Sequence, residues 1–309
     1  MATAKAGDKT QVCRKLVGSL QKLYGKSVPR LDLPTLETIL FGICLEDNPW
    51  SDAEAGYNKL LQSYFDLNEI RVSSVAELET TLQPLFGADW KGLRIRSLLR
   101  FIFESTYSFE FEKLRRLTLE AAVRQLKKIP DQSSFVRDFC LQYILGSHVI
   151  AMDDSMMTAA RWLGLIPADL DSAGASDFLK GGVRKSDINE FSFLLRSLAT
   201  DPKYRQRFLD DMEESVGLQH VADRLTELQS PPKKKPARKP SETTSKASTP
   251  PKSPDKKTAQ KAAPAKPRKT APSAETTKAG KPASRKTASK PAASKTTKTA
   301  ASRKPARKK

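Results

Sequence analysis

From Leu33 to Leu228 the apolar residues recur mainly three and four positions apart, with few alternating Val/Ile/Thr stretches. That period belongs to helices burying one face, not to strands. The spacing predicts helices over Leu33 to Leu45, Ala53 to Tyr64, Ser74 to Leu85, Lys91 to Glu104, Leu114 to Lys127, Ser134 to Leu145, Ser155 to Leu165, Asp187 to Leu198 and Lys203 to Leu228. The expected fold class is therefore all-α. Pro34 suits a first helical turn, where its missing N–H costs nothing, and Gly164 follows an apolar run as a C-terminal cap does. This stretch is long enough to bury a core of its own.

Beyond Gln229 the texture changes to Pro, Ala, Ser, Thr and Lys, with no aromatic residue. Such a segment has nothing to bury against the entropy of ordering and is expected to be disordered when free. The expected organisation is an N-terminal segment over 1–30, a helical domain over 31–228 and a tail over 229–309. Charge follows the same division. Residues 231–309 hold 25 Lys and Arg against Glu242, Asp255 and Glu275, a net of +22, whereas the first 230 residues hold 29 against 32, a net of −3. The chain's +19 thus belongs wholly to the tail.

An extended chain with charges spread along it can track a phosphate backbone, releasing condensed counterions as it does so. The expected partner is duplex DNA, with RNA and other polyanions as an open alternative. The expected contacts are Lys233, Lys234, Lys235, Arg238 and Lys239 near the start of the tail, and Arg303, Lys304, Arg307, Lys308 and Lys309 at its end. Ser230-Pro-Pro-Lys233, Thr249-Pro-Pro-Lys252 and Ser253-Pro-Asp-Lys256 share a Ser/Thr-Pro-x-Lys pattern. In this and in composition the tail resembles those of linker histones, which implies duplex binding adjustable by phosphorylation.

Cys13, Cys44 and Cys140 are too few and too widely spaced for a disulfide framework or a ligand cluster. His148 and His220 have no Cys or carboxylate at ligand spacing, so no metal and no cofactor are expected. The first residues lack the apolar core of a signal peptide, and no apolar run has the length of a membrane span. The expected setting is intracellular and DNA-associated, in a nucleoid or nucleus.

Two further motifs concern chemistry. Met152-Asp153-Asp154-Ser155 is followed by Ala160-Arg161-Trp162-Leu163-Gly164-Leu165. This resembles the helix-hairpin-helix DNA glycosylase superfamily, specifically the endonuclease III type, which reads Val-Asp-Thr-His and then Ala-Arg-Arg-Leu-Gly-Leu. Leu36 to Leu45, Ala53 to Phe65, Ser74 to Leu78 and Lys91 to Leu98 resemble the family's preceding helices. The resemblance implies an endonuclease III-like fold over most of residues 33–200 and makes Asp153 the candidate catalytic residue. In such enzymes that carboxylate helps activate the nucleophile and stabilises positive charge on the sugar. An Asp before an amphipathic helix is equally an ordinary N-cap.

The family's hairpin, Leu-Pro-Gly-Val-Gly-x-Lys, corresponds here to Ile129-Pro130-Asp131-Gln132-Ser133-Ser134-Phe135. Both glycines are replaced, and Phe135 stands where lyase-competent members carry the amine nucleophile, so no Schiff base can form. Ser133 and Ser134 can cap the next helix or offer hydroxyls to a DNA phosphate. Lys91, Arg94, Arg96 and Arg100 form the body's one notable basic cluster, either a DNA contact or a solvated helix face. Trp50, Trp90 and Trp162 read as core, the alternative being stacking on an extruded base. The cysteines that ligate an iron–sulfur cluster in many relatives are absent from residues 187–229. Two functions follow from the resemblance: a monofunctional base-excision glycosylase without lyase activity, or an inactive scaffold that binds or compacts DNA as histones do.

Overall fold

A computed structural model describes residues 6–210 and 217–229. The chain divides into two units, 1–237 and 238–309, and the described residues all belong to the first. The tail cations named above lie outside them.

Thirteen α-helices and three short 3₁₀ turns make up the described residues, which contain no strand, in keeping with the all-α expectation. In chain order they are α1 Ala6–Tyr24, α2 Thr35–Leu45, α3 Trp50–Ser63, α4 Leu67–Val72, α5 Val75–Leu82, α6 Ala88–Thr106, α7 Leu119–Leu126, α8 Ser134–Tyr143, α9 Asp154–Trp162, α10 Ser172–Lys180, α11 Ile188–Thr200, α12 Pro202–Asp210 and α13 Val221–Gln229.

These helices enclose two hydrophobic cores. The first gathers the buried faces of α2 to α8, with Ile39, Leu40, Leu60, Leu78, Leu98 and Phe139 among its members. The second gathers α1 and α9 to α13 around residues such as Leu16, Leu20, Met156, Trp162, Leu195 and Phe208. Gly42 lets α2 and α8 approach closely, because a Cβ there would lie 2.8 Å from the Phe139 ring.

Three expectations need correction. Residues 1–30 are not merely a leading segment, since α1 places Cys13, Leu16 and Leu20 in the second core against α11 and α13. The single helix expected over Lys203 to Leu228 is two, α12 and α13, the second entered through Gly217 and a 3₁₀ turn at Leu218–His220. Helices α4 and α10 were not expected; each begins at an aspartate, Asp66 or Asp171, whose side chain accepts a first-turn N–H. Pro34 stands one residue before the first turn of α2, and the Thr35 N–H beyond it donates to Glu112 at 2.6 Å. The α9 terminus is as read: Gly164, at φ +73°, donates to Arg161 O at 2.9 Å while Leu165 N–H reaches back to Ala160 O at 2.9 Å. These are the two bonds of a glycine-terminated helix end.

Asp138 on α8 offers a test of this packing. Burial, opposed by the charges of Arg137 and Lys180, pushes its carboxyl up to about 6. Between the ordinary aspartate range and that value the folded chain holds a proton that the unfolded chain has released, so stability falls as pH rises from about 4 to 6. Asp138→Asn is expected to add about 1–2 kcal/mol at pH 7.5, after discounting for solvent screening. Urea unfolding at the two pH values checks this, since the advantage should vanish at pH 4.

Candidate functional site

The two cores meet where the C-terminal end of α2 faces the N-terminal end of α9. The last carbonyls of a helix and its first amides lack intrahelical partners, so buried ends require side chains to satisfy them. Here they satisfy one another. Asp153, extended at φ −96° and ψ 178°, caps α9 by accepting the Met156 N–H on Oδ1 at 2.9 Å. Its Oδ2 accepts the Asp47 N–H at 2.9 Å, and Asp47 Oδ1 in return accepts the Ser155 N–H at 2.8 Å. Asp47 adopts a left-handed backbone, φ +57°, which Asp tolerates better than most residues. Burial, and then the charge of Asp153, raise its carboxyl above the usual range.

Two buried cations fasten this junction. Arg196, from α11, pairs with Asp153 at 2.7 Å; their side chains are 4% and 0% exposed. The same guanidinium donates to Leu45 O at 2.8 Å and lies 4.8 Å from the centre of the Phe135 ring. From α6, Lys91 is wholly buried and donates to Ile43 O at 2.8 Å and Glu46 O at 2.7 Å, placing positive charge at the negative end of α2. Burial pushes its ammonium down to about 8. Glu46 pairs with Arg94, and burial nevertheless raises the carboxyl. Asn48 completes the arrangement, accepting the Phe86 N–H at 2.9 Å and donating to Phe86 O at 3.3 Å.

Three of the four cations Lys91, Arg94, Arg96 and Arg100 are therefore engaged within the body. Lys91 is inside the protein, Arg94 is bound to Glu46, and Arg100 faces Glu104 at 3.7 Å.

On the Arg196 side of the junction, aromatic side chains pack together. Phe135 packs against Phe139 with ring centres 5.8 Å apart, and Phe139 against Tyr143 at 4.4 Å. Trp50 closes on Tyr143 at 6.3 Å and on Phe193 at 5.9 Å. The void left among these rings, Gln142, Ser192 and Arg196 measures about 10 Å³. That is room for about one water. Trp50 and Trp162 are in core contacts, as expected, and Trp162 packs on Phe208 at 5.3 Å.

The α7–α8 turn is made without glycine. Asp131 takes the left-handed conformation, φ +60°, and its Oδ2 accepts the Ser97 hydroxyl at 2.6 Å. Arg137 donates to Gln132 O at 2.6 Å, and Gln132 to Arg94 O at 3.1 Å. Ser133 caps α8 by accepting the Val136 N–H at 3.1 Å, while the exposed Ser134 places its hydroxyl 3.2 Å from that of Ser172 at the start of α10. Asp131→Ala is expected to cost about 1–3 kcal/mol, from a β-carbon in left-handed backbone without the side-chain bond. Asp131→Gly is expected to be milder, and thermal unfolding of the pair separates the two contributions.

All three cysteines are free and buried, and His148 Nε2 lies 3.0 Å from Val183 O. Among the described residues no cluster of His, Cys, Asp or Glu has the form of a metal site, and no helix is long and apolar enough to cross a membrane. Sequence reasoning singled out Asp153, Ser133 and Ser134 but missed Asp47 and Arg196. The one available signal for Arg196 was a charge inside the apolar run Phe191 to Leu198.

No family model and no curated protein matches the chain. Solved structures do resemble it. They include a trapped endonuclease III–DNA covalent intermediate, at 14% identity over 64% of this chain and 86% of that one, with a TM-score of 0.47. A thermostable thymine-DNA glycosylase is similar at 12% identity over 64% of this chain and 89% of that one, TM-score 0.47. The H. pylori 3-methyladenine DNA glycosylase is similar at 14% identity over 65% of this chain and 98% of that one, TM-score 0.46.

Proposed function

We propose that this chain is a DNA-binding protein that uses its helical body as a non-catalytic scaffold and residues 231–309 as a sequence-independent grip on the duplex. The observation that carries the non-catalytic part is the state of Asp153. Its side chain is fully buried, its oxygens accept two backbone N–H groups, and its charge is matched by Arg196. A carboxylate that is to activate water must have an oxygen facing the reacting atoms, and a base that is to be excised needs a pocket. The burial of Asp153 and the void of only about 10 Å³ among Phe135, Arg196 and their neighbours support the non-catalytic reading. A glycosylase reading requires Arg196 to withdraw and Phe135 to move.

Binding itself rests on the tail's net of +22 and on the endonuclease III-type motifs at Met152–Ser155 and Ala160–Leu165. In this reading Lys233, Lys234, Lys235, Arg238, Lys239, Arg303, Lys304, Arg307, Lys308 and Lys309 neutralise phosphates. Ser133 and Ser134 present hydroxyl hydrogens to a phosphate at the start of α8, where the helix dipole also favours an anion. Phosphorylation of the Ser/Thr-Pro sites would weaken the grip by cancelling charge.

Competition binding tests the reading. Full-length protein on a labelled undamaged duplex should be displaced equally, within about twofold, by unlabelled duplexes of unrelated sequence, as phosphate-dominated contacts require. Single-stranded RNA should compete less well per nucleotide; preferential displacement by RNA would move the assignment to RNA.

A further inference from the structure

A run of free cations lies on the 3₁₀ turn Glu112–Arg116 and on α7, which follows it. Residues 112–128 hold six Lys and Arg against Glu112 and Glu120, a net of +4, whereas the rest of the first 230 residues hold 23 against 30, a net of −7. Glu112 is engaged by the N–H and hydroxyl of Thr35 and by Arg115. Lys113, Arg116, Arg124, Lys127 and Lys128 are exposed, and among the described residues their side chains make no hydrogen bond or ion pair. Spacing sets them in two rows. Side chains three apart eclipse in a 3₁₀ turn, which brings Lys113 beside Arg116. Arg124, Lys127 and Lys128 lie three and four apart on one side of the end of α7. Only Leu117 and Thr118 separate the two elements. The α7 dipole favours the cations at its end, but it opposes Lys113 and Arg116, which precede its positive start. Helix electrostatics alone therefore does not account for the set.

We infer that this face seats a duplex of its own, so that one molecule joins two DNA segments, one on the body and one on residues 231–309. Cations in rows suit a phosphate backbone, which carries one charge per about 1.7 Å of duplex axis. Their mutual repulsion in the free body is relieved when phosphates lie among them. A segment of 79 residues can reach at most about 3.3–3.6 Å per residue, on the order of 250 Å, so the duplex it holds need not be the one at the body. The inference rests on the DNA-binding reading and adds a second site to it.

A bridging assay with the full-length protein tests it. Beads carrying one duplex are mixed with a fluorescent duplex of unrelated sequence, with protein below the concentration of either, and binding to a single duplex is followed separately by anisotropy. Wild type should draw the fluorescent duplex onto the beads. Arg116→Gln, Arg124→Gln, Lys127→Gln and Lys128→Gln in one chain, all at exposed positions, should capture about tenfold less while single-duplex affinity changes by less than about twofold. Lys113→Arg, Lys127→Arg and Lys128→Arg in one chain, which keep every charge, should capture as wild type does. Unchanged capture by the Gln variant would overturn the inference, because residues 231–309 would then bridge unaided. Capture and single-duplex affinity falling together would also overturn it, since both surfaces would then hold one duplex. Absence of any duplex binding would remove the DNA reading itself and this inference with it.

Discussion

Arg196→Met should destabilise the body by about 3–5 kcal/mol, the usual cost of leaving one charge of a buried pair uncompensated. The expectation follows from what Arg196 touches. Its guanidinium neutralises a carboxylate with no solvent exposure and also satisfies Leu45 O at the end of α2. Removing it therefore loosens the joint between the two cores as well as the ion pair. Asp153→Asn alone should cost less, because an amide can still accept the Met156 N–H. The double variant should recover part of the Arg196→Met loss, since the buried charge is gone. Urea unfolding of the two single variants and the double variant gives the coupling directly. Independent, additive effects would mean that the pair does not hold the junction.

Removal of residues 230–309 should have the other large effect. For the full chain, if about ten cations engage phosphates, the log–log salt slope is about −9, and affinity for duplex falls by about 10³–10⁵-fold between 50 and 200 mM salt. A chain ending at Gln229 carries a body whose net charge is close to zero and keeps the whole of both cores. It should fold, lose most of the affinity at low salt, and show a slope of only about −1 to −2. Fluorescence anisotropy with a labelled duplex across that salt range measures both quantities. An unchanged slope would place the phosphate contacts on the body.

The helices were legible where a seam of apolar residues lies against neighbours close in the chain. α2, α6 and α9 fall within a few residues of their expected positions, and the Gly164 terminus was visible because only that end needs a left-handed residue. α1 was not recognised, although Cys13, Leu16 and Leu20 have the right spacing. Its partners, α11 and α13, are at the other end of the described chain, and a narrow seam in a Lys- and Gly-containing stretch does not announce them. The turn at Asp131 was not legible either: Asp takes a left-handed backbone there and is tied down by Ser97, which is distant in sequence.

At the site, sequence located Asp153 and its cap but not the groups that hold its side chain. Those are Arg196 and Asp47, which reach Asp153 from α11 and from the loop after α2. Such convergence is set by how the two cores pack, and no local pattern encodes it. The filling of the adjacent space is likewise collective: Phe135 signals only the loss of an amine, whereas closure requires Trp50, Phe139, Tyr143 and Phe193 as well.

The most direct test of the account is incubation of the full-length protein with duplexes that each carry one damaged or mismatched base, followed by alkali. The non-catalytic reading predicts that every duplex is bound and none yields an alkali-labile site. A lesion that becomes alkali-labile with the wild-type chain, and not with Asp153→Asn, would contradict it and make the protein a monofunctional glycosylase.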